Sequence, residues 1–217
     1  MDDILQQLRQ AIMDGMPSMA KEAVRKALAE GVEPMVALNT GCVPAMDYVG
    51  ERFGCREMFL PDVLASSEAM KAAVAVLEPE MRKRGDERQV HGRVVLGTVK
   101  GDIHEIGKGL VAILLGASGF EVYDLGVGVP PEVFASKARE LKADIVGVSA
   151  LLTTTMNLQR DVVQCFDREG LRPGVKVIVG GAPVSQRWAT EIGADGYGKD
   201  AMSAVALARS LMKKDRP

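Results

Sequence analysis

The chain has 217 residues, enough for one large domain or two small ones, and 47% of them are apolar, so sizeable cores are possible. A net charge of −2 gives no electrostatic reason to bind nucleic acid or an anionic membrane. No apolar run approaches the roughly 20 residues of a membrane-spanning helix, Met1-Asp2-Asp3-Ile4 does not open a secretory signal, and Cys42, Cys55 and Cys165 show neither C-x-x-C nor zinc spacing, so free thiols in a reducing cytoplasm are expected.

Residues 1–90 read as helix only. Ile4, Leu5, Leu8 and Ile12 recur at helical spacing from Asp2 to Asp14, and Gly15 closes that helix. Pro17 opens a second helix carrying Ala20, Val24, Ala27 and Leu28, and Pro34 a third carrying Val43, Met46, Val49 and Phe53. Pro44 should kink or split the third. Pro61 opens a fourth, with Val63, Leu64, Met70, Ala73, Val74 and Leu77. Four helices with short turns predict an antiparallel bundle. The charged, glycine-containing stretch Arg82–Gly92 reads as a solvated linker.

Residues 91–217 change pattern, with apolar strand-like runs alternating with helical stretches. Strands are expected at Val94–Val99, Phe120–Gly126, Ile145–Ser149, Val175–Gly181 and Ala194–Gly198. Helices are expected between them and at Ala201–Met212. Such alternation implies βαβ crossovers and a parallel sheet. The fold class is therefore α plus α/β: a four-helix bundle, then a flavodoxin-like five-stranded sheet of order 2-1-3-4-5 with its site beside strand 1.

The stretch Gly101-Asp102-Ile103-His104-Glu105-Ile106-Gly107-Lys108-Gly109 leaves the carboxyl end of the first strand, where open α/β sheets bind ligands. A carboxylate two residues before a histidine can accept the proton of one ring nitrogen. That leaves the other nitrogen as a more basic lone-pair donor, the chemistry of a metal-bound imidazole. Three other readings stay open here. His104 can simply cap the following helix. The glycine spacing departs from that of a P-loop, which also needs Ser or Thr where Gly109 stands. It departs as well from the dinucleotide fingerprint, although Asp124 could still reach a ribose. Two further loops meet at the same sheet edge. One is the hydroxyl-rich run Ser149-Ala150-Leu151-Leu152-Thr153-Thr154-Thr155, where a threonine can cap the next helix, and the other is Gly180-Gly181-Ala182-Pro183. Small residues on all three loops predict a deep slot between the sheet and its flanking helices.

Asp102, His104 and Gly107 also make the pattern D-x-H-x-x-G, and here the chain resembles a known family over about residues 5–210. It is similar to the corrinoid methyl-carrier proteins of methylamine, methanol and methoxyarene methyltransferase systems, and to the cobalamin-binding module of methionine synthase. The resemblance implies a cobalamin held with its own benzimidazole displaced and His104 on cobalt, Asp102 orienting the imidazole. Gly101, Ile103, Glu105, Ile106 and Gly107 belong to the same cofactor loop. Ser149 matches a serine that hydrogen-bonds the benzimidazole, and Leu151 lies beside it in the same loop. Thr153 matches a threonine near the lower corrin face, and Thr155 stands where a serine completes a histidine–aspartate–hydroxyl relay. Gly180 and Gly181 match a pair lining the nucleotide tail. In the bundle, Phe53, Leu60 and Val63 correspond to cap residues touching the upper ligand. Glu105 replaces the usual aspartate and Gly109 an asparagine, which touches fine tuning and not cofactor binding.

The function so implied is a cytoplasmic methyl shuttle in one-carbon metabolism of the methanogenic or acetogenic kind, a methyl-carrier subunit and not a complete enzyme. Its partners would be a substrate-specific corrinoid methyltransferase, an acceptor methyltransferase passing the methyl (as methylcobalamin) to a thiol or folate, and a reductive activator. Two rivals share parts of this pattern. A cobalamin mutase small subunit resembles the second half only. A cobalamin-based light sensor needs a DNA-binding domain and a tryptophan in its cap, whereas the one tryptophan here is Trp188.

Overall fold

The computed structural model describes residues 2–84 and 90–214. The chain divides into two compact units, Met1–Gln89 and Val90–Pro217.

The first unit is helical: α1 (Asp2–Met13), α2 (Pro17–Ala29), α3 (Pro34–Val36), a π-helical segment Ala37–Cys42, α4 (Val43–Gly54) and α5 (Leu60–Arg84). Ile4, Leu5, Leu8 and Ile12 of α1 are buried with Ala20, Val24 and Ala27 of α2, and with Met70, Ala73, Val74 and Leu77 of α5. The helical spacing thus places each apolar stripe in one core. At Pro44 the expected split takes the form of the π segment. Proline has no N–H, and its ring collides with the carbonyl four residues back in an α-helix. Widening the preceding turn, so that the Val43 N–H reaches Leu38 O five residues back, relieves that conflict within helical backbone. Helix α5 also runs on to Arg84, into the stretch expected as linker. Ion pairs Lys83–Glu80 (2.6 Å) and Arg82–Glu78 (3.9 Å) support its last turn. Residues 85–89 of the expected linker lie outside the described residues.

The second unit alternates β1 (Arg93–Thr98), α6 (Ile106–Ala117), β2 (Glu121–Asp124), α7 (Pro131–Glu140), β3 (Ile145–Ser149), α8 (Thr153–Arg168), β4 (Lys176–Gly180), α9 (Gln186–Glu191), β5 (Gly196–Gly198) and α10 (Ala201–Lys214). All neighbouring strands pair in parallel, in the order β2-β1-β3-β4-β5. Register puts Val95, Val146 and Val177 on one face, where they pack with Phe134, Phe166 and Trp188 of α7, α8 and α9. The opposite face carries Leu96, Gly147 and Ile178, then Thr98, Ser149 and Gly180 toward the carboxyl edge. Helices α6 and α10 cover this second face. Its glycines and serine leave room beneath them, and that room is the candidate site.

Candidate functional site

Asp102 is fully buried, and five donors converge on its carboxylate. Oδ1 accepts the His104 N–H (3.1 Å) and lies 2.7 Å from His104 Nδ1. Oδ2 accepts the Leu151 N–H (2.8 Å), the Leu152 N–H (3.3 Å) and the Thr155 hydroxyl (2.7 Å). Burial by itself pushes this carboxyl up. The hydrogen bonds from His104, Thr155 and the Leu151 amide outweigh it and hold the group well below the usual carboxylate range. An ionised Oδ1 can only accept, so Nδ1 carries the bridging proton, and in the neutral ring the lone pair is on Nε2. Thr98 Oγ1 donates to His104 O at 2.9 Å and fixes the backbone of the same loop. The imidazole is 44% exposed. It does not cap α6, whose N-cap is Glu105 with no side-chain cap bond. Asp124 is also engaged, accepting from Lys108 Nζ and from Gly126 N–H at 2.9 Å.

Beside His104 opens a cavity of about 1000 Å³, under α6 and α10 and over the sheet. Of the residues singled out in the sequence, Ile103, His104, Glu105, Ile106, Gly107, Ser149, Leu151, Gly180 and Gly181 line it. Gly101, at φ +77°, and Asp102 stand behind this lining. Thr155 is buried, and its hydroxyl reaches Asp102 Oδ2 and Leu152 O. Thr153 is exposed and off the lining. The threonines therefore do not form the loop the sequence suggested: Thr153–Thr155 are the first turn of α8. No side chain caps that helix locally. The Leu151 amide and that of the N-cap residue Leu152, just ahead of the helix, are met by Asp102, some 50 residues upstream in sequence.

The floor is fixed by Gly181, at φ +132°, where a Cβ would sit 1.7 Å from Ala150 O. Only glycine lets these two loops touch. Gln159 was not singled out. It is fully buried, donates to Val148 O (2.9 Å) and Gly180 O (3.0 Å), and accepts from Trp188 Nε1 (3.0 Å). A polar residue on an otherwise apolar helix face was its only sequence signal. Lys108, Leu110 and Val111 of α6 and the Tyr197–Ala201 segment also line the slot, with nothing in their spacing to announce it. At the mouth, Ile103 and Ile106 are 80% and 86% exposed, and Leu151 and Leu152 are exposed beside them. Large apolar side chains held in water around a histidine mark a contact surface for a broad apolar ligand.

In the first unit Phe53 and Leu60 are half-buried, flanking a turn in which Arg56 takes φ 63° and Phe59 is 66% exposed. Val63 is 0% exposed. It lies on α5 in line with Met70, Ala73 and Leu77.

A family described as B12 binding domain matches residues 92–206, and a second of the same description matches residues 4–78. This chain belongs to the B12-binding family. A corrinoid protein of Desulfitobacterium hafniense is 45% identical over 97% of this chain and 98% of its own. The trimethylamine corrinoid protein of Methanosarcina barkeri is 44% identical over 97% of each. Among solved structures, the methanol:cobalamin methyltransferase complex MtaBC from Methanosarcina barkeri superposes with a TM-score of 0.88 at 27% identity, covering 98% of this chain and 80% of that one. The cofactor is thus a corrinoid, and the residues in place fit it. One imidazole backed by one carboxylate suits a metal that arrives with its own equatorial ligands. The slot and its apolar rim suit a flat macrocycle with a long appendage. No helix among the described residues is long and apolar enough to cross a membrane.

Proposed function

We propose that this member of the corrinoid proteins of methyltransferase systems would hold its corrinoid through His104 Nε2 on cobalt, with the nucleotide tail in the slot under α6 and α10. The supporting observation is the Asp102–His104 pair, 2.7 Å apart, standing at the mouth of that slot. When bound, the corrinoid supplies a cobalt centre that can take up and give up a methyl group. The chain's own residues position and shield it. Asp102 keeps the proton on Nδ1, Ser149 lines the slot, and Ile103, Ile106 and Leu151 present apolar surface around the imidazole. Phe53, Leu60 and Val63 are the bundle's candidates for the lid. The protein acts as a shuttle, charged by a substrate-specific corrinoid methyltransferase, discharged by an acceptor methyltransferase working on a thiol or folate, and restored by a reductive activator. Relatives named for trimethylamine and dimethylamine, each 44% identical over 97% of this chain, favour a methylated amine as donor over methanol. A light-sensing role is disfavoured by Trp188, which lies buried against Gln159 in the second unit.

The test is His104→Ala in protein labelled with ¹⁵N-histidine and loaded with cob(II)alamin. The wild type is expected to show the paramagnetic splitting of one ¹⁵N nucleus on cobalt, and the variant none. The variant should still bind corrinoid, weakened by no more than about 100-fold, because the slot is untouched. Wild-type protein without the ¹⁵N splitting would sink the assignment.

A further inference from the structure

Helix α6 follows directly on the His104 loop, yet its first half has little to rest on. Between Ile106 and Ile113 a single side chain is buried, and it is a lysine. Leu110 and Val111, which on an ordinary α/β helix would pack on the sheet, instead line the slot. Lys108 is 2% exposed in its side chain and reaches across to both carboxylate oxygens of Asp124, at the end of β2. Glu105 Oε1, at 4.0 Å, is a weaker second partner. Asp124 does more than neutralise the lysine. It accepts the Gly126 N–H at 2.9 Å, and two residues on, the Gly128 N–H donates to Asp102 O at 3.1 Å. The pair therefore braces both ends of the histidine loop: its exit into α6, and the segment after β2 that touches Asp102.

We infer that the Lys108–Asp124 pair is a positioning device that holds the His104 loop in register across an open slot, in place of the hydrophobic packing that the slot removes. This rests on the His104 ligation proposed above. A helix seated over a cavity has no close-packed partner to set its height and rotation. A buried ion pair with two acceptor oxygens sets both, because its attraction is strong only at contact distance and in a fixed orientation. Neither residue is a ligand; both act through His104.

The experiment uses the full chain, labelled with ¹⁵N-histidine and loaded with cob(II)alamin, as wild type, Lys108→Met and Lys108→Arg. The label is nearly site-specific, since the chain has two histidines and His91 packs on Phe120 ahead of β1, at the opposite edge of the sheet. In Lys108→Met the ratio of histidine-ligated to unligated cobalt should fall at least tenfold. Lys108→Arg, which can restore a two-point pair with Asp124, should return it to within about twofold. A folded, loaded Lys108→Met with the wild-type ratio overturns the inference alone, as does an arginine variant that restores nothing. If Lys108→Met does not fold, Asp124→Asn, which keeps an acceptor for Gly126 and Lys108 while removing the charge, carries the same expectation and the same overturning result. A wild type with no ¹⁵N splitting removes the His104 reading itself, and this inference with it.

Discussion

Replacing Asp102 by asparagine is expected to lower the stability of the corrinoid-free protein by about 3 kcal/mol, and to abolish histidine ligation wherever the amide NH₂ takes the place of Oδ1. Five donors meet the two oxygens of this buried side chain, and asparagine offers only one oxygen. If its NH₂ replaces Oδ2, the Leu151 and Leu152 amides at the start of α8 face a donor and are left unsatisfied. If it replaces Oδ1, the His104 amide is orphaned and the imidazole must accept at Nδ1. The ring proton then moves to Nε2, and the lone pair needed for cobalt is gone. The first outcome costs fold, the second costs ligation, and both follow from one lost acceptor. The pH dependence has a definite sign. Hydrogen bonding holds the folded carboxyl below its ordinary value, so the unfolded chain binds the proton more readily. The stability that Asp102 contributes is complete above the ordinary unfolded value of about 3.9. It is lost as pH falls below that toward the folded value. Urea unfolding of wild type and Asp102→Asn at pH 7 and pH 3 checks this: the gap between them should narrow at pH 3. A gap that stays constant would mean the carboxylate is not the acceptor described.

Much of this was legible in the chain because the signals are local. Short apolar runs rich in valine and isoleucine mark β1, β3 and β4, and the D-x-H pair at a strand exit marks the ligand edge. What escaped was set by contacts distant in sequence. The threonines after β3 read as a loop in which one of them could cap the next helix; instead α8 already starts at Thr153, and Asp102, from another loop, accepts the Leu151 and Leu152 amides just ahead of it. Pro44 read as a break because the π segment that accommodates it has no sequence marker. Gln159 and Lys108 are polar residues on apolar helix faces, and only the fold shows that each is fully occupied, one by strand carbonyls and the other by Asp124.

Adjacent glycines after β4 should separate what holds the fold from what receives the ligand. At Gly181 an added methyl would lie 1.7 Å from Ala150 O and 2.7 Å from Ala150 C, on backbone at φ +132° that side chains avoid. Ala150 cannot retreat. It is fully buried, its N–H donates to Gly180 O at 3.1 Å, and the next amide, Leu151, is held by Asp102. Gly181→Ala is therefore expected to cost about 4 kcal/mol or more, opening the seam between the loops after β3 and β4. Its effect should appear in the melting temperature of the corrinoid-free protein. Gly180 differs. It shares the sheet face of Ser149 and Gly147, lines the slot, and has strand backbone, and its added methyl would meet only Gly198 O, at 3.1 Å. Gly180→Ala should melt within a few degrees of wild type, a cost near 1 kcal/mol. The methyl would instead occupy slot volume. If the nucleotide tail lies there, this variant should bind hydroxocobalamin at least tenfold more weakly, while its affinity for cobinamide, which has no tail, stays within about twofold of wild type. Equal weakening toward both corrinoids would place the tail elsewhere, and an unstable Gly180→Ala would show that this glycine too belongs to the fold.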